Sequence, residues 1–97
     1  MNILVVDDEK DVKLLFEQKF RREIKNGVMT FNFAYSGQET VVYLDTRPAE
    51  IQLILSDINM PGMSGIELLK YVKHNLPDIK MMMISAYGDR DNYDSVM

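Results

Sequence analysis

The sequence predicts a doubly wound α/β domain built on a parallel sheet, and two observations carry that expectation. Short apolar runs alternate with stretches whose apolar residues recur at helical spacing. Two of the runs end in acids: Ile3-Leu4-Val5-Val6 meets Asp7-Asp8-Glu9, and Ile51-Gln52-Leu53-Ile54-Leu55-Ser56 meets Asp57. Strands and helices that alternate over such short spans pair in parallel through right-handed crossovers.

The elements follow in order. Residues 2–6 read as a strand buried on both faces. From Lys10 to Ile24 the period becomes helical, with Val12, Leu15, Phe16, Phe20 and Ile24 on the apolar side and Lys13, Glu17, Arg21 and Arg22 elsewhere. Asn26-Gly27 closes that helix. Residues 28–34 alternate in part and suit a second strand nearer an edge. Ser36 caps the next helix, with Glu39 three positions on as a capping box, and that helix stops before Pro48. Residues 51–56 form the third strand, and a Pro61-Gly62 loop follows. A helix then runs from about Ser64 to His74, with Ile66, Leu69 and Val72 on one face. Residues 79–85 form the fourth strand, and Gly88 to Met97 opens a polar segment read as a helix.

Composition narrows the possible functions. Ninety-seven residues suit one domain, and 46% hydrophobic residues suffice for a real core. No apolar run reaches the roughly 18 residues of a membrane span, and no basic-then-apolar start resembles a signal peptide. The chain has no cysteine, which rules out disulfides and thiolate metal sites and fits a cytoplasmic location. A net charge of −4 without a basic stripe predicts no direct nucleic-acid contact from this segment.

If the third strand lies beside the first, away from the second, the strand order is 2-1-3-4. The connection then reverses direction between strands 1 and 3. Open α/β sheets bind ligands at that reversal, beyond the carboxyl ends of the strands. Asp7, Asp8 and Asp57 meet there. Carboxylates about 4 Å apart repel by roughly 1 kcal/mol per pair in water and roughly 4 at an effective dielectric near 20. Such a cluster takes up protons or binds a cation, and oxygen ligands without His or Cys favour Mg²⁺ or Mn²⁺. A carboxylate beside that metal can attack a phosphoryl donor and become an aspartyl phosphate. Ser85, at the end of the fourth strand, is placed to donate its hydroxyl to a phosphoryl oxygen. Other residues read more plainly. Alone, Asp7-Asp8 suits a helix cap and Asp57 an Asx turn, so it is the joint pattern that points to a site. His74 and Arg21-Arg22 suit solvated helix ends, and Met81-Met82-Met83 fills core, because strand neighbours face opposite ways.

Asp7-Asp8-Glu9, then Asp57-Ile58-Asn59-Met60-Pro61-Gly62-Met63-Ser64-Gly65, then Met83-Ile84-Ser85-Ala86 resemble the receiver domain of two-component response regulators. The resemblance runs from Asn2 to the last residue. It implies a flavodoxin-like three-layer fold with Asp57 as the phosphoacceptor. Asp8 would ligate Mg²⁺ directly, Asp7 would act largely through water, and the backbone carbonyl of Asn59 would be a further ligand. Ser85 would be the switch hydroxyl, reporting phosphorylation to the surface of the fourth strand and the helix after it. The donor would be a sensor histidine kinase or a phosphotransfer protein, and the domain would not be a turnover enzyme. Measured against the resemblance, 1–97 is expected to be a single receiver domain truncated at its C-terminal end, with the fifth strand, its lysine and the fifth helix missing. The edge of strand 4 would then be open to self-association or a domain swap. Two alternatives stand beside this reading. One is a degenerate receiver that only binds partners. The other is a Mg-dependent aspartyl-phosphate hydrolase of the haloacid-dehalogenase kind, disfavoured because Asn59 occupies its general-acid position.

Overall fold

Four parallel strands form one sheet in the order β2-β1-β3-β4. The structure, a computed structural model, describes residues 1–46 and 50–84. In chain order the elements are β1 (Asn2–Val6), α1 (Asp11–Lys19), α2 (Arg21–Lys25), β2 (Thr30–Ala34), α3 (Gly37–Thr46), β3 (Leu53–Asp57), α4 (Gly65–Asn75) and β4 (Lys80–Ile84). Ser85, Pro48 and the helix expected from Gly88 lie outside the described residues.

The alternation of side chains along the strands divides the core into two layers. On one face Ile3 and Val5 pack with Val12 of α1, ringed by Phe16, Phe31, Phe33 and Leu55. On the other, Leu4, Val6, Ala34 and Ile54 pack with Leu44 of α3 and with Leu68 and Val72 of α4. Helices therefore cover both faces, giving the three-layer, flavodoxin-like arrangement expected. Val5, Val6, Leu4 and Ile54 are fully buried, which matches the unbroken apolar reading of β1 and the middle of β3.

Four local expectations need correction. The first is at β4: Met82, read with Met81 and Met83 as core filling, is 58% exposed, because it lies on the uncovered side of the strand among the described residues. The single helix predicted over Lys10–Ile24 is divided at Phe20, whose backbone leaves helical geometry (φ −109°, ψ 28°). The break lets the Phe20 ring sit 5.8 Å from Phe16 and 5.3 Å from Phe31 of β2. Leu15 and Ile24, assigned to the apolar side, are exposed. β2 begins at Thr30 rather than Val28, because the amides of Val28 and Met29 both donate to the carbonyl of Glu23 instead of joining the sheet. In α4 the buried face is Gly65, Leu68 and Val72, while Ile66 is 44% exposed.

The predicted cap of α3 holds: Ser36 Oγ accepts the amide of Glu39 at 3.0 Å. The complete reciprocal capping box lies at α4, where Ser64 Oγ accepts the Glu67 amide and Glu67 accepts the Ser64 amide, both at 3.2 Å.

Candidate functional site

β1 and β3 are adjacent, so their carboxyl ends deliver Asp7, Asp8 and Asp57 to the same edge of the sheet. One carboxylate oxygen from each lies within 4.8 Å of the others. Asp57 is the last residue of β3, paired with Ile84, and is 5% exposed. Asp7 is 6% exposed; its amide donates to the carbonyl of Ala34 at 3.1 Å, extending the ladder one step beyond β1. Asp8 is open to solvent. Two held carboxylates and one exposed one make a cluster that an ion can enter from outside.

Burial pushes the Asp7 carboxyl above its ordinary value, and the charges of Asp57, Asp8 and Glu9 add to that rise. The amide of Glu9, donating to Asp7 Oδ1 at 2.9 Å, opposes it. The same turn leads into α1 through Val12 N–H to Glu9 C=O at 3.2 Å.

The segment after Asp57 is fixed by small residues. Ser56, fully buried, donates its hydroxyl to the Asp57 carbonyl at 2.9 Å. The Gly65 amide donates to the Ile58 carbonyl at 2.8 Å. A Cβ on Gly65 would overlap the Asp57 carbonyl oxygen and would stand 2.9 Å from Ile58 Cα. The first turn of α4 is thus pressed directly onto the backbone that carries the Asp57 carboxylate. Gly62 (φ 76°) supplies the left-handed turn of the loop. Met63 then lies over Gly37 at the start of α3, where a Cβ would stand 2.7 Å from Met63 Cβ. Met60 is buried under the loop and Asn59 is exposed between these anchors.

The sequence matches the response regulator receiver domain over residues 3–97. The chain belongs to that family. It is 36% identical over 89 residues to sporulation initiation phosphotransferase F of Bacillus subtilis (strain 168), covering 92% of this chain and 67% of that protein. It is 30% identical over 90 residues to the DNA-binding transcriptional regulator NtrC of Proteus hauseri, of which it spans only 18%. Among solved structures, response regulator TrrA of Thermotoga maritima, determined in complex with Mg²⁺-BeF, has a TM-score of 0.74 at 28% identity, over 98% of this chain and 78% of that one.

In this receiver domain the three acids named from the sequence come together, and Asn59 follows two residues behind Asp57. Ser85 lies outside the described residues. Lys10, in the loop after β1, has its Nζ 5.9 Å from the centre of the Tyr35 ring. Sequence reasoning passed over Ser56, Gly65 and the Gly37–Met63 contact. A hydroxyl inside an otherwise apolar run was the available signal for Ser56. A glycine directly after the Ser64 cap was the signal for Gly65.

Proposed function

We propose that this receiver domain accepts a phosphoryl group on Asp57 from the phosphohistidine of a sensor kinase or phosphotransfer protein, in a Mg²⁺-dependent reaction that Mn²⁺ also supports. The observation that carries the reading is the convergence of the Asp7, Asp8 and Asp57 carboxylates, two of them buried, at the carboxyl edge of the sheet. Asp8, Asp57 and the backbone carbonyl of Asn59 would hold the ion, with Asp7 acting through water. Three mutually repelling carboxylates with only oxygen donors fit a hard divalent cation. When bound, the ion neutralises charge on the phosphoryl oxygens and on the cluster. A carboxylate oxygen of Asp57 forms the new bond to phosphorus as the phosphorus–nitrogen bond to the donor imidazole breaks and the imidazole departs. The clamp of Ser56 and Gly65 on the Asp57 backbone aims the attacking oxygen, which is most of what phosphoryl transfer asks of a protein.

The relatives support this choice of donor. The Bacillus subtilis protein is named a phosphotransferase, and a Brucella abortus relative, 30% identical over 87 residues, is named sensor kinase CckA. The TrrA structure with Mg²⁺-BeF supports the choice of ion. Ser85 is proposed as the hydroxyl that follows the phosphoryl group and passes the change to the surface around β4. The domain is then a regulatory phosphoacceptor that assists its own phosphorylation and hydrolysis, in the cytoplasm. Among the described residues no helix is long and apolar enough to cross a membrane. Self-association along β4, where Met82 is 58% exposed, belongs to the same proposal, with sedimentation as its measurement.

The test is incubation with Mg²⁺ and acetyl phosphate, or with beryllofluoride, comparing wild type with Asp57→Ala by intact mass and tyrosine fluorescence. An Asp57-dependent adduct is expected. Its absence under all conditions would leave a partner-binding receiver, and sustained turnover of a phosphate ester would make the protein a hydrolase.

A further inference from the structure

From Asn26 to Gln38 no residue is charged, in a chain of which 27% is charged. That stretch contains β2, the outermost strand of the sheet, whose sole neighbour among the described residues is β1. An outer strand ordinarily carries a lysine, a proline, a bulge or an inward-pointing charge that blocks further pairing. Thr30-Phe31-Asn32-Phe33-Ala34 has none of these, and its register runs unbroken from Thr30 against Asn2 to Ala34 against Val6. Nor does α3 close the edge. A hollow of about 520 Å³ lies beside it, lined by Phe33 and by Val42, Tyr43 and Thr46 of α3, with Val42 64% exposed.

The backbone of β2 is turned in a way that selects a pairing. The Thr30 amide donates to the Met1 carbonyl at 2.8 Å, and the Ala34 carbonyl accepts the Asp7 amide at 3.1 Å. Alternation along the strand then points Thr30, Asn32 and Ala34 at β1, and the amides and carbonyls of Phe31 and Phe33 outward. These two residues flank Asn32 symmetrically. A second β2, antiparallel about a two-fold axis at Asn32, sets Phe31 opposite the copy's Phe33 and Phe33 opposite its Phe31. Every outward amide and carbonyl of the two residues then finds a partner. Phe31 and Phe33, half-buried and 6.4 Å apart within one chain, gain cross-strand aromatic neighbours on the same face.

Charge favours a second copy over an unrelated strand. Each molecule carries −4, so two copies approach most easily through a neutral face. The first charges on either side of the neutral stretch are opposite, Lys25 at its amino end and Glu39 at its carboxyl end. Antiparallel pairing brings the Lys25 end of each copy toward the Glu39 end of the other.

We propose that the outer edge of β2 is a self-association surface, at which two copies of this chain join their four-stranded sheets into one through antiparallel β2 strands. The surface runs along the side of the sheet and not across its carboxyl ends. Asp7, Asp8 and Asp57 therefore stay open, and the pairing does not depend on phosphoryl acceptance. β4 lies at the opposite edge and takes no part.

Sedimentation equilibrium of the full chain, from micromolar to millimolar concentration, should show the mass rising from 11.3 kDa toward that of a dimer. Hydrogen exchange of wild type by NMR should slow at the Phe31 and Phe33 amides as concentration rises, while Asn32, bonded to β1, stays slow throughout. Asn32→Lys and Asn32→Asp each set like charges face to face at the two-fold axis and should weaken the dimer by about tenfold or more. Mixing the two variants should restore association as a heterodimer, which misfolded chains would not do. Met82→Lys on β4 should leave the dimer unaltered. A mass fixed at 11.3 kDa overturns the proposal, as does exchange at Phe31 and Phe33 that ignores concentration. So does a dimer that survives both Asn32 variants, a mixture that fails to recover, loss of the dimer in Met82→Lys, or growth past the dimer into filaments.

Discussion

Replacing Gly65 with alanine tests whether the close approach of α4 to β3 positions Asp57. At the first residue of a helix, Gly→Ala in open space would be neutral or would stabilise by up to about 1 kcal/mol, through propensity and reduced freedom of the unfolded chain. Here the added methyl overlaps the Asp57 carbonyl oxygen and stands 2.9 Å from Ile58 Cα and 3.0 Å from the Asp57 carbonyl carbon. All three neighbours are backbone atoms, so no rotamer change relieves the contact. Either α4 lifts or the end of β3 retreats, and overpacking of this kind costs roughly 1–3 kcal/mol. The expected result is a melting temperature lower by about 4–24 °C, taking about 4–8 °C per kcal/mol for a domain of this size. With Asp57 as the proposed phosphoacceptor, a displacement of about 1 Å at its carboxylate would cost on the order of 10²-fold in rate. Thermal unfolding with Mg²⁺ measures the first quantity, and the rate of Asp57 adduct formation with acetyl phosphate measures the second. A Gly65→Ala protein that melts no lower than wild type and reacts as fast would refute the clamp.

Two further outcomes follow from the geometry. The folded-state pKa of Asp7 is raised above 3.8, so its contribution to stability is fully present below that value and is lost as pH rises through the raised one. Metal-free Asp7→Asn should therefore be more stable than wild type at pH 7, because it removes both the burial of a charge and its repulsion by Asp57, Asp8 and Glu9, the repulsion alone being roughly 1–4 kcal/mol per close pair. The gap should close on acidification, and Mg²⁺ should stabilise wild type more than the variant. Thermal melts in EDTA at several pH values check this, and a lower wild-type stability at pH 4 than at pH 7 from this group would contradict it. Urea denaturation should separate Leu68→Ala, costing about 2–5 kcal/mol, from Ile66→Ala, within about 0.5 kcal/mol. Equal losses would mean that α4 is turned the other way.

The sheet and its order were legible because β1 is buried on both faces and so carries no alternation to mislead, while β3 alternates only between half-buried and fully buried residues. The acid cluster was legible because Asp7-Asp8 and Asp57 mark two strand ends that only adjacency can unite. The rotation of α4 was not. Apolar residues at 66, 68, 69 and 72 satisfy two helical phases, and a backbone contact at Gly65, which has no side chain to read, selects between them. The break at Phe20 was hidden because apolar spacing continues through it to Ile24, while the gain that favours the break lies in β2, at Phe31. Val28 and Met29 read as strand because composition does not reveal that their amides go to Glu23.

Met63 resting on Gly37 has a consequence for how the domain opens. The loop that follows Asp57 packs through Met63 against the start of the helix that follows β2, so opening either one uncovers the other. Amide hydrogens around Gly37-Gln38 and around Gly62-Ser64 should therefore exchange with solvent as one cooperative unit. Oxidation of the Met63 thioether to a sulfoxide would put a bulky dipole on that glycine and release both segments together.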